Sequence, residues 1–190
     1  MKKINGLLLE AAKKGNLAQI KKLLEQGADI NAKDNDGYTA LMWSAKYRYL
    51  DCVKYLVEQG ADIDVQTKDG RTALNLSAYY RHIDCVKYLV EKGADVNLQA
   101  ALIWSVTHGY IACAKYLVEQ GADVNLQDSC GFSALLKAAY NGHLNCVKYL
   151  HRQGADINAR DKWGDTALCW AAKYRRQWIT EYLVAQGAQY

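Results

Sequence analysis

The residue types that most often perform catalysis or bind metals are present in this chain, but they lack the necessary spacing. Its 190 residues include six cysteines and four histidines, and no two cysteines form the C-x-x-C pair of zinc and thiol-redox sites. The motifs of phosphate loops, dinucleotide folds, zinc proteases and serine hydrolases are also missing from the sequence. We therefore expect no enzyme, no catalytic residue, no metal site and no cofactor.

Lysines, arginines and aromatic side chains form the chemical pattern that remains. Five segments, at 39–49, 72–82, 100–110, 133–143 and 166–176, contain seven cations and no aspartate or glutamate. The net charge of the whole chain is only +4, so the carboxylates are concentrated elsewhere. Like charges on one surface create a positive potential that attracts anionic partners. The seven cations are Lys46, Arg48, Arg81, Lys137, Lys173, Arg175 and Arg176.

These segments recur because the sequence itself repeats. Gly-Ala-Asp, or Gly-Ala-Gln in the last copy, recurs with glycine spacings of 33, 33, 28, 33 and 33 residues. An amphipathic stretch such as 52–58 precedes the glycine, and a shorter apolar block such as 39–42 precedes that stretch. The pattern predicts two short helices and a turn in each unit, with apolar faces that only stacking on neighbours can bury.

The pattern resembles the ankyrin repeat over essentially the whole chain. The family's Thr-Pro-Leu-His block corresponds to the segments that begin at Thr39, Thr72, Ser133 and Thr166, although every unit lacks the proline and the histidine. The resemblance implies an all-α repeat solenoid of about six stacked units, each with two helices and a β-turn finger. The implied single domain has an N-terminal cap at 1–33, internal repeats at 34–66, 67–99, 100–127 and 128–160, and a C-terminal cap repeat at 161–190.

One unit is shorter than the others. The 28-residue spacing predicts that a finger tip, equivalent to residues 128–132, is deleted near Gln99 and Ala100. Two interpretations stay open: a loop deletion that the fold tolerates, or a gap that admits a ligand.

Side chains that recur at one position of the repeat are expected to serve packing. Cys52, Cys85, Cys113 and Cys146 share a position on the outer helix and are predicted to be small core residues, whereas Cys130 lies at a finger tip and is predicted to be exposed. A tyrosine also recurs on the outer helix and is interpreted as repeat packing. A lysine directly precedes four of these tyrosines and is interpreted as part of a solvated face: Lys54, Lys87, Lys115 and Lys148.

Three arginines break a local rule of the family. A glycine usually follows the inner helix, as Gly15, Gly109 and Gly142 do here, because the backbone is left-handed at that position. A residue with a side chain costs about 1 kcal/mol there. Such a departure without an evident structural gain favours a functional role. The three replacements are Arg48, Arg81 and Arg175.

The resemblance implies that inner helices and finger tips touch partners. Two interpretations stay open for Trp43, Trp104 and Trp170, which either contact a partner or pack between inner helices. Tyrosine, tryptophan and arginine are the residues enriched in binding hot spots. The candidate partner-binding residues are Tyr38, Trp43, Lys46, Tyr47, Arg48, Lys68, Arg71, Tyr79, Tyr80, Arg81, Trp104, Thr107, His108, Phe132, Tyr140, Asn141, Trp163, Trp170, Lys173, Tyr174 and Arg175.

These residues favour a non-catalytic protein-binding module whose basic, aromatic groove and finger tips hold a partner with an acidic surface or segment. The alternative is a receptor or sponge for an anionic small ligand, a nucleotide or oligonucleotide, held by lysines, arginines and stacked aromatics in the same groove. The apolar runs are too short to span a membrane, and no signal peptide is recognisable. We expect a cytoplasmic monomer without a membrane or sequence-specific nucleic-acid partner.

Overall fold

Pairs of helices follow one another along the chain in the computed structural model, which describes residues 2–98 and 101–190. In this described part the regular structure is helical, apart from one isolated bridge between Gln127 and Ser133. The chain divides into two units, Met1–Gln99 and Ala100–Tyr190. The finger-tip deletion predicted at Gln99 and Ala100 lies outside the described residues.

Each unit consists of a row of inner helices and a row of outer helices. The first unit contains α1 (Lys2–Lys13), α2 (Leu17–Glu25), α3 (Ala40–Lys46), α4 (Leu50–Glu58), α5 (Ala73–Tyr79) and α6 (Ile83–Glu91). The second contains α7 (Ala101–Thr107), α8 (Ile111–Glu119), α9 (Ala134–Asn141), α10 (Leu144–Arg152), α11 (Ala167–Lys173) and α12 (Gln177–Ala185).

The helices of each row contact one another in series. In the first unit α1, α3 and α5 form the inner row, and α2, α4 and α6 form the outer row. In the second unit the inner row is α7, α9 and α11, and the outer row is α8, α10 and α12. The described residues therefore have the all-α repeat architecture that the sequence predicts.

A hydroxyl side chain begins four of the inner helices. The Oγ1 atom of Thr39 accepts a hydrogen bond from the Met42 backbone N–H at 3.3 Å, and Thr72 accepts one from Asn75 at 3.2 Å. Ser133 and Thr166 cap α9 and α11 in the same way. These bonds satisfy backbone donors that a helix start leaves unpaired, so the inner helices form without the family's proline.

The recurring cysteines lie in the core, as the sequence predicts. Cys52, Cys85, Cys113 and Cys146 are buried, and Cys130 is exposed. Burial raises the pKa of Cys85 to about 12 and that of Cys146 to about 11. These two thiols therefore stay protonated at neutral pH and contribute volume to the core rather than reactivity.

Four outer-helix lysines contact a tyrosine of the next repeat. In the first unit the Lys21 Nζ lies 5.0 Å from the centre of the Tyr55 ring, and the Lys54 Nζ lies 6.0 Å from that of Tyr88. In the second unit, Lys115 and Lys148 take the same position, 5.8 and 5.5 Å from the rings of Tyr149 and Tyr182. The expected solvated face is thus also a row of cation–π contacts, because a lysine stem is long enough to reach the tyrosine one repeat further on.

An aspartate at the start of a finger fixes both the finger and the inner helix after it. Asp161 uses Oδ1 to accept the N–H groups of Trp163 and Asp165, at 2.9 and 3.0 Å. Its second oxygen, Oδ2, accepts the indole N–H of Trp170, nine residues along the chain, at 2.7 Å. Asp34 makes the same pattern, with its Oδ2 3.0 Å from the Trp43 Nε1. One carboxylate therefore shapes the turn and orients an aromatic side chain.

The three arginines adopt the predicted left-handed backbone. Their φ angles are +64° at Arg48, +64° at Arg81 and +55° at Arg175. Gly15 and Gly109 have φ angles of +65° and +71° at the equivalent position. The arginines therefore carry strain of about 1 kcal/mol each that glycine avoids.

A side chain at the start of an outer helix ties successive repeats together. The Nε2 of His82 lies 3.0 Å from the carbonyl oxygen of Lys46, and that of His143 lies 3.1 Å from the Thr107 oxygen. Arg176 donates to the Tyr140 oxygen at 3.3 Å from the same position. For each histidine the bond requires a proton on Nε2, which the neutral ring supplies. Burial, helped by the nearby charge of Arg48, lowers the pKa of His82 below its usual range.

Replacing Trp170 by phenylalanine tests the aspartate–indole anchor. The substitution keeps an aromatic ring but leaves the Asp161 Oδ2 without its donor, and Asp161 is only 7% exposed. Loss of a buried hydrogen-bond donor costs about 1–3 kcal/mol, so the free energy of unfolding in urea is expected to fall by that amount. Trp43→Phe is the matched control, because Asp34 is half-buried and water can replace the lost donor. Equal losses in the two variants would contradict this account.

Acidification tests the state of His82. The folded chain favours the neutral ring, so the stabilisation is present above the unfolded-state pKa of about 6.5. This stabilisation is lost as the pH falls from the unfolded-state pKa to below the lowered folded-state pKa of His82. We expect the free energy of unfolding to decrease between about pH 7.5 and pH 5.5, and His82→Gln, whose amide can still donate, to reduce that slope. An unchanged slope in the variant would show that His82 does not contribute.

Candidate functional site

An aromatic cluster lies on the inner helices and fingers of the first unit. The rings of Tyr38 and Trp43 stack with centres 4.5 Å apart, and those of Trp43 and Tyr47 stack at 5.9 Å. Asp34 fixes the indole of Trp43 from behind, as described above. Trp43 and Tyr38 are half-buried, whereas Tyr47 keeps 47% of its surface exposed. The cluster therefore has a fixed base and one exposed aromatic edge.

Lys46 lies among these rings. Its Nζ is 4.7 Å from the Trp43 ring centre, 5.5 Å from Tyr38, 5.7 Å from Tyr47 and 5.9 Å from Tyr80. The ammonium group makes no ion pair with a carboxylate in the described part of the chain. Aromatic faces stabilise a cation without neutralising it, so Lys46 brings a positive charge to the cluster that an anion can still approach.

The next repeat extends the cluster with a second pair of tyrosines. Tyr79 and Tyr80 meet edge-on with ring centres 4.8 Å apart, and Tyr80 is 39% exposed. The guanidinium of Arg71 lies 5.9 Å from the Tyr79 ring and pairs with Asp69 at 2.8 Å. Lys68, at the finger tip, is exposed. Arg81 follows Tyr80 directly, just as Arg48 follows Tyr47.

Among the described residues, Arg48 and Lys137 of the inner segments form ion pairs, which makes the positive surface weaker than the number of cations suggests. The Arg48 Nε lies 3.1 Å from the Asp84 Oδ2. Burial alone would raise the pKa of Asp84, but the hydrogen bond from the Cys85 backbone N–H and the pairing with Arg48 hold it below its usual range. The Lys137 Nζ lies 3.7 Å from the Asp128 Oδ2 and also 3.7 Å from the centre of the Phe132 ring. The absence of carboxylates within the inner segments therefore does not leave every cation unpaired, because finger and outer-helix aspartates reach them.

In the second unit part of the predicted binding surface is core. Phe132 and Trp170 are only 7% and 8% exposed and pack with Leu136. Phe132, predicted as a partner-binding residue at a finger tip, turns its ring inward, 5.6 Å from the Trp170 ring and 6.4 Å from Tyr140, and so presents little surface to a partner. For Trp170 the packing interpretation holds. Trp43 and Trp104 are half-buried, so each combines packing with some exposed surface.

An exposed patch covers this core. Tyr174 is 42% exposed and Trp163 is 66% exposed, and the cations Lys173 and Arg175 flank Tyr174. Tyr140 is half-buried beside Tyr174, with ring centres 4.6 Å apart. Residues 173–175 repeat the Lys-Tyr-Arg sequence of residues 46–48.

The predicted partner-binding residues on and near α7 also make local structural contacts. Thr107 donates its hydroxyl to the Ile103 carbonyl at 2.7 Å, and Asn141, on α9, donates to the Lys137 carbonyl at 2.9 Å. Burial and the nearby His143 lower the pKa of His108. These side chains are half-buried and thus have local structural contacts besides any contact with a partner.

Sequence reasoning missed the residues that hold the surface from behind. Asp34, Asp128 and Asp161 each place an oxygen near the side chain nine residues later. Lys13, from α1, lies 4.6 Å over the Trp43 ring. The signal for the aspartates was present in the sequence, because a tryptophan or a lysine stands nine residues after each of them. No comparable spacing signals the Lys13 contact.

In residues 2–98 and 101–190 there is no group of three or more histidine, cysteine or acidic side chains that could hold a metal ion. In the same ranges no helix combines the length and the apolar character needed to cross a membrane.

Two known protein sequences resemble short segments of this chain. A segment of 38 residues, 20% of this chain, is 53% identical to the human mitochondrial disaggregase, of which it spans 5%. A segment of 49 residues, 26% of this chain, is 43% identical to the ankyrin repeat protein RF_p14 of Rickettsia felis, of which it spans 78%. The chain thus matches only a small part of the human relative.

Solved structures resemble most of the chain. The human ASB11 ankyrin repeat domain matches with a TM-score of 0.85 and 27% sequence identity, over 96% of this chain and 84% of that one. A chain from the complex of the Bd0816 predatory endopeptidase of Bdellovibrio bacteriovorus with the immunity protein Bd3460 matches equally, at 0.85 and 27%, over 95% and 97%.

The sequence model of the ankyrin repeats (three copies) matches residues 8–100 and 102–190. Ankyrin repeats are protein–protein interaction modules, and their fold ordinarily serves as a non-catalytic binding scaffold. The repeat period, the paired helices and these matches agree, and the chain belongs to the ankyrin-repeat family.

Proposed function

We propose that this chain is a non-catalytic protein-binding module and that the first unit binds an acidic segment of its partner. The binding surface consists of Lys46, Tyr47, Arg48, Tyr80 and Arg81, which we call the Tyr-Arg surface. The observation that carries the proposal is the exposure of Tyr47 and Tyr80, at 47% and 39%, each directly before an arginine with a left-handed backbone. Finger residues Tyr38, Lys68 and Arg71 border it.

The side chains of the Tyr-Arg surface suit a partner that carries both carboxylates and apolar groups. Exposed tyrosines supply rigid contact area at a low cost in conformational entropy. Guanidinium groups bind carboxylates through two parallel hydrogen bonds. Lys46 is held between the aromatic rings, so its side chain loses little conformational freedom when a partner binds. Positive potential would speed association, and the packed tyrosines would slow dissociation.

Backbone strain supports a functional role for the arginines. Glycine occupies the same position in other repeats at no conformational cost, yet arginine stands at three of them. Strained residues that the scaffold tolerates are concentrated at functional sites. The Lys173-Tyr174-Arg175 sequence of the second unit, with Tyr174 42% exposed, repeats the combination and supports the same function there.

The proposed compartment is the cytoplasm. All six cysteines are unpaired, and free thiols persist in reducing compartments.

Replacing Arg81 by glycine separates function from stability. The change removes strain of about 1 kcal/mol but adds unfolded-state entropy worth about 0.4–1 kcal/mol, so the free energy of unfolding is expected to stay within about 1 kcal/mol of the wild type. Affinity for an immobilised random copolymer of glutamate and tyrosine is expected to fall about tenfold, since a charge-assisted hydrogen bond is lost. Binding of the wild type is expected to weaken as salt rises.

Lys22→Gln is the matched control for this experiment. It removes one exposed charge from the outer helix α2 of the same unit and is expected to bind like the wild type. Equal losses of affinity in both variants would show that net charge alone causes the effect, and would contradict a localised binding surface. Purified protein that carries an absorbance near 260 nm, lost in Arg81→Gly, would instead support the nucleotide hypothesis.

A further inference from the structure

A second cationic surface lies on the opposite row of helices in the second unit. The outer helices α8 and α10 enclose a shallow groove of about 310 Å³. Its lining is Ile111, Lys115, Asn145, Lys148, Tyr149 and Arg152. None of these residues belongs to the Tyr-Arg surface, so the groove is independent of the proposed protein-binding function.

The groove has three cations and no carboxylate in its lining. Lys115, Lys148 and Arg152 form no ion pair with any carboxylate of residues 2–98 or 101–190. Burial and the charge of Glu119 raise the pKa of Tyr149. The aromatic floor and the Asn145 amide complete a site with an excess of positive charge.

The equivalent groove of the first unit shows that this charge is a local departure from the repeat. Between α4 and α6 a groove of about 430 Å³ also contains two lysines and a tyrosine, Lys54, Lys87 and Tyr88. Three carboxylates accompany them there: Glu58, Asp84 and Glu91. One repeat position carries Asp84 in the first groove and Asn145 in the second, and another carries Glu91 and Arg152. The packing residues are kept, and the charges are changed.

We propose that the groove between α8 and α10 binds a soluble polyanion that carries linked phosphate groups. Lys115 and Lys148 hold equivalent positions on neighbouring helices, whose axes pack about 8–10 Å apart. Arg152 lies one helical turn beyond Lys148, about 5–6 Å away between Cβ atoms. Such a spread is wider than a single phosphate group but matches a short chain of them, with each cation contacting a different group and Asn145 donating its amide.

A soluble ligand fits this surface better than a membrane. The exposed residues around the groove include Ala112, Glu119 and Gln120, which offer no large apolar side chain for insertion into lipid. Glu119 would be repelled by anionic headgroups. The ligand we assign is therefore a polyanion in solution. The experiment must distinguish its binding from binding to anionic vesicles.

Inorganic triphosphate is the probe, titrated into the full chain by calorimetry at an ionic strength of about 0.15 M, where long-range attraction is screened. The wild type is expected to bind it saturably at one site. Asn145→Asp combined with Arg152→Glu gives the groove the charges of its counterpart in the first unit, and the affinity is expected to fall at least tenfold, to about one tenth or less. Both positions are exposed or half-exposed, so the variant is expected to fold, which circular dichroism checks.

The first unit supplies a gain-of-function control. Glu91→Arg adds the missing cation beside Lys54 and Lys87 while leaving the Arg48–Asp84 pair intact, and is expected to raise the stoichiometry or the total affinity for triphosphate. Unchanged binding in the Asn145→Asp, Arg152→Glu variant would overturn the proposal. So would loss of triphosphate binding in Arg81→Gly, which would move the site to the Tyr-Arg surface, or binding to phosphatidylserine vesicles in place of triphosphate.

Discussion

The two oxygens of the finger aspartate are the constraint on which the binding surface depends. One oxygen is used to close the β-turn, and the other lies near the side chain nine residues later, on the inner helix. Where the aspartate is present, that later residue is either a tryptophan, whose indole N–H donates to the carboxylate, or a lysine, which forms an ion pair with it. Where Thr67 replaces it, the hydroxyl still accepts the Arg71 N–H for the turn but has no second oxygen, and the later residue is Leu76, which is buried. The first residue of the finger thus corresponds to the residue nine positions later: an aspartate to a tryptophan or a lysine, and Thr67 to a buried leucine.

The same anchor has different consequences in the two units because the neighbouring rings differ. Trp170 is covered by Phe132 and Tyr140, so its indole becomes core and the exposed surface moves outward to Tyr174. Trp43 has Tyr38 and Tyr47 beside it and Lys46 above, and part of it stays exposed. A repeat can therefore keep the aspartate–indole hydrogen bond while its inner-helix tryptophan either packs in the core or stays partly exposed.

Much of the fold could be predicted from the sequence, since its causes are local and recur at a fixed period. The helix pairs, the buried cysteines and the left-handed arginines all follow from aligning one repeat with the next. The burial of Phe132 could not be predicted in this way, because it depends on which ring of the following repeat lies within reach. Nor could the pairing of Arg48 with Asp84, 36 residues away, since Arg48 lies in the turn after an inner helix and Asp84 lies on the outer helix of the next repeat. Contacts between repeats can be predicted only once the register of stacking is known.

That register also explains how one scaffold provides two different charged surfaces. The outer-helix tyrosines Tyr88 and Tyr149 keep the same cation–π contact with the lysine of the preceding repeat, so the floor of each outer groove is set by stacking. Of the positions beside that floor, Asp84 is half-buried, and Glu91, Asn145 and Arg152 are exposed. Changes at exposed positions cost the core little. Asp84 and Glu91 in one groove can thus become Asn145 and Arg152 in the other without altering the packing that holds the helices together. In a repeat protein, stability belongs to the positions that face the neighbouring repeat, and specificity is free to differ from groove to groove.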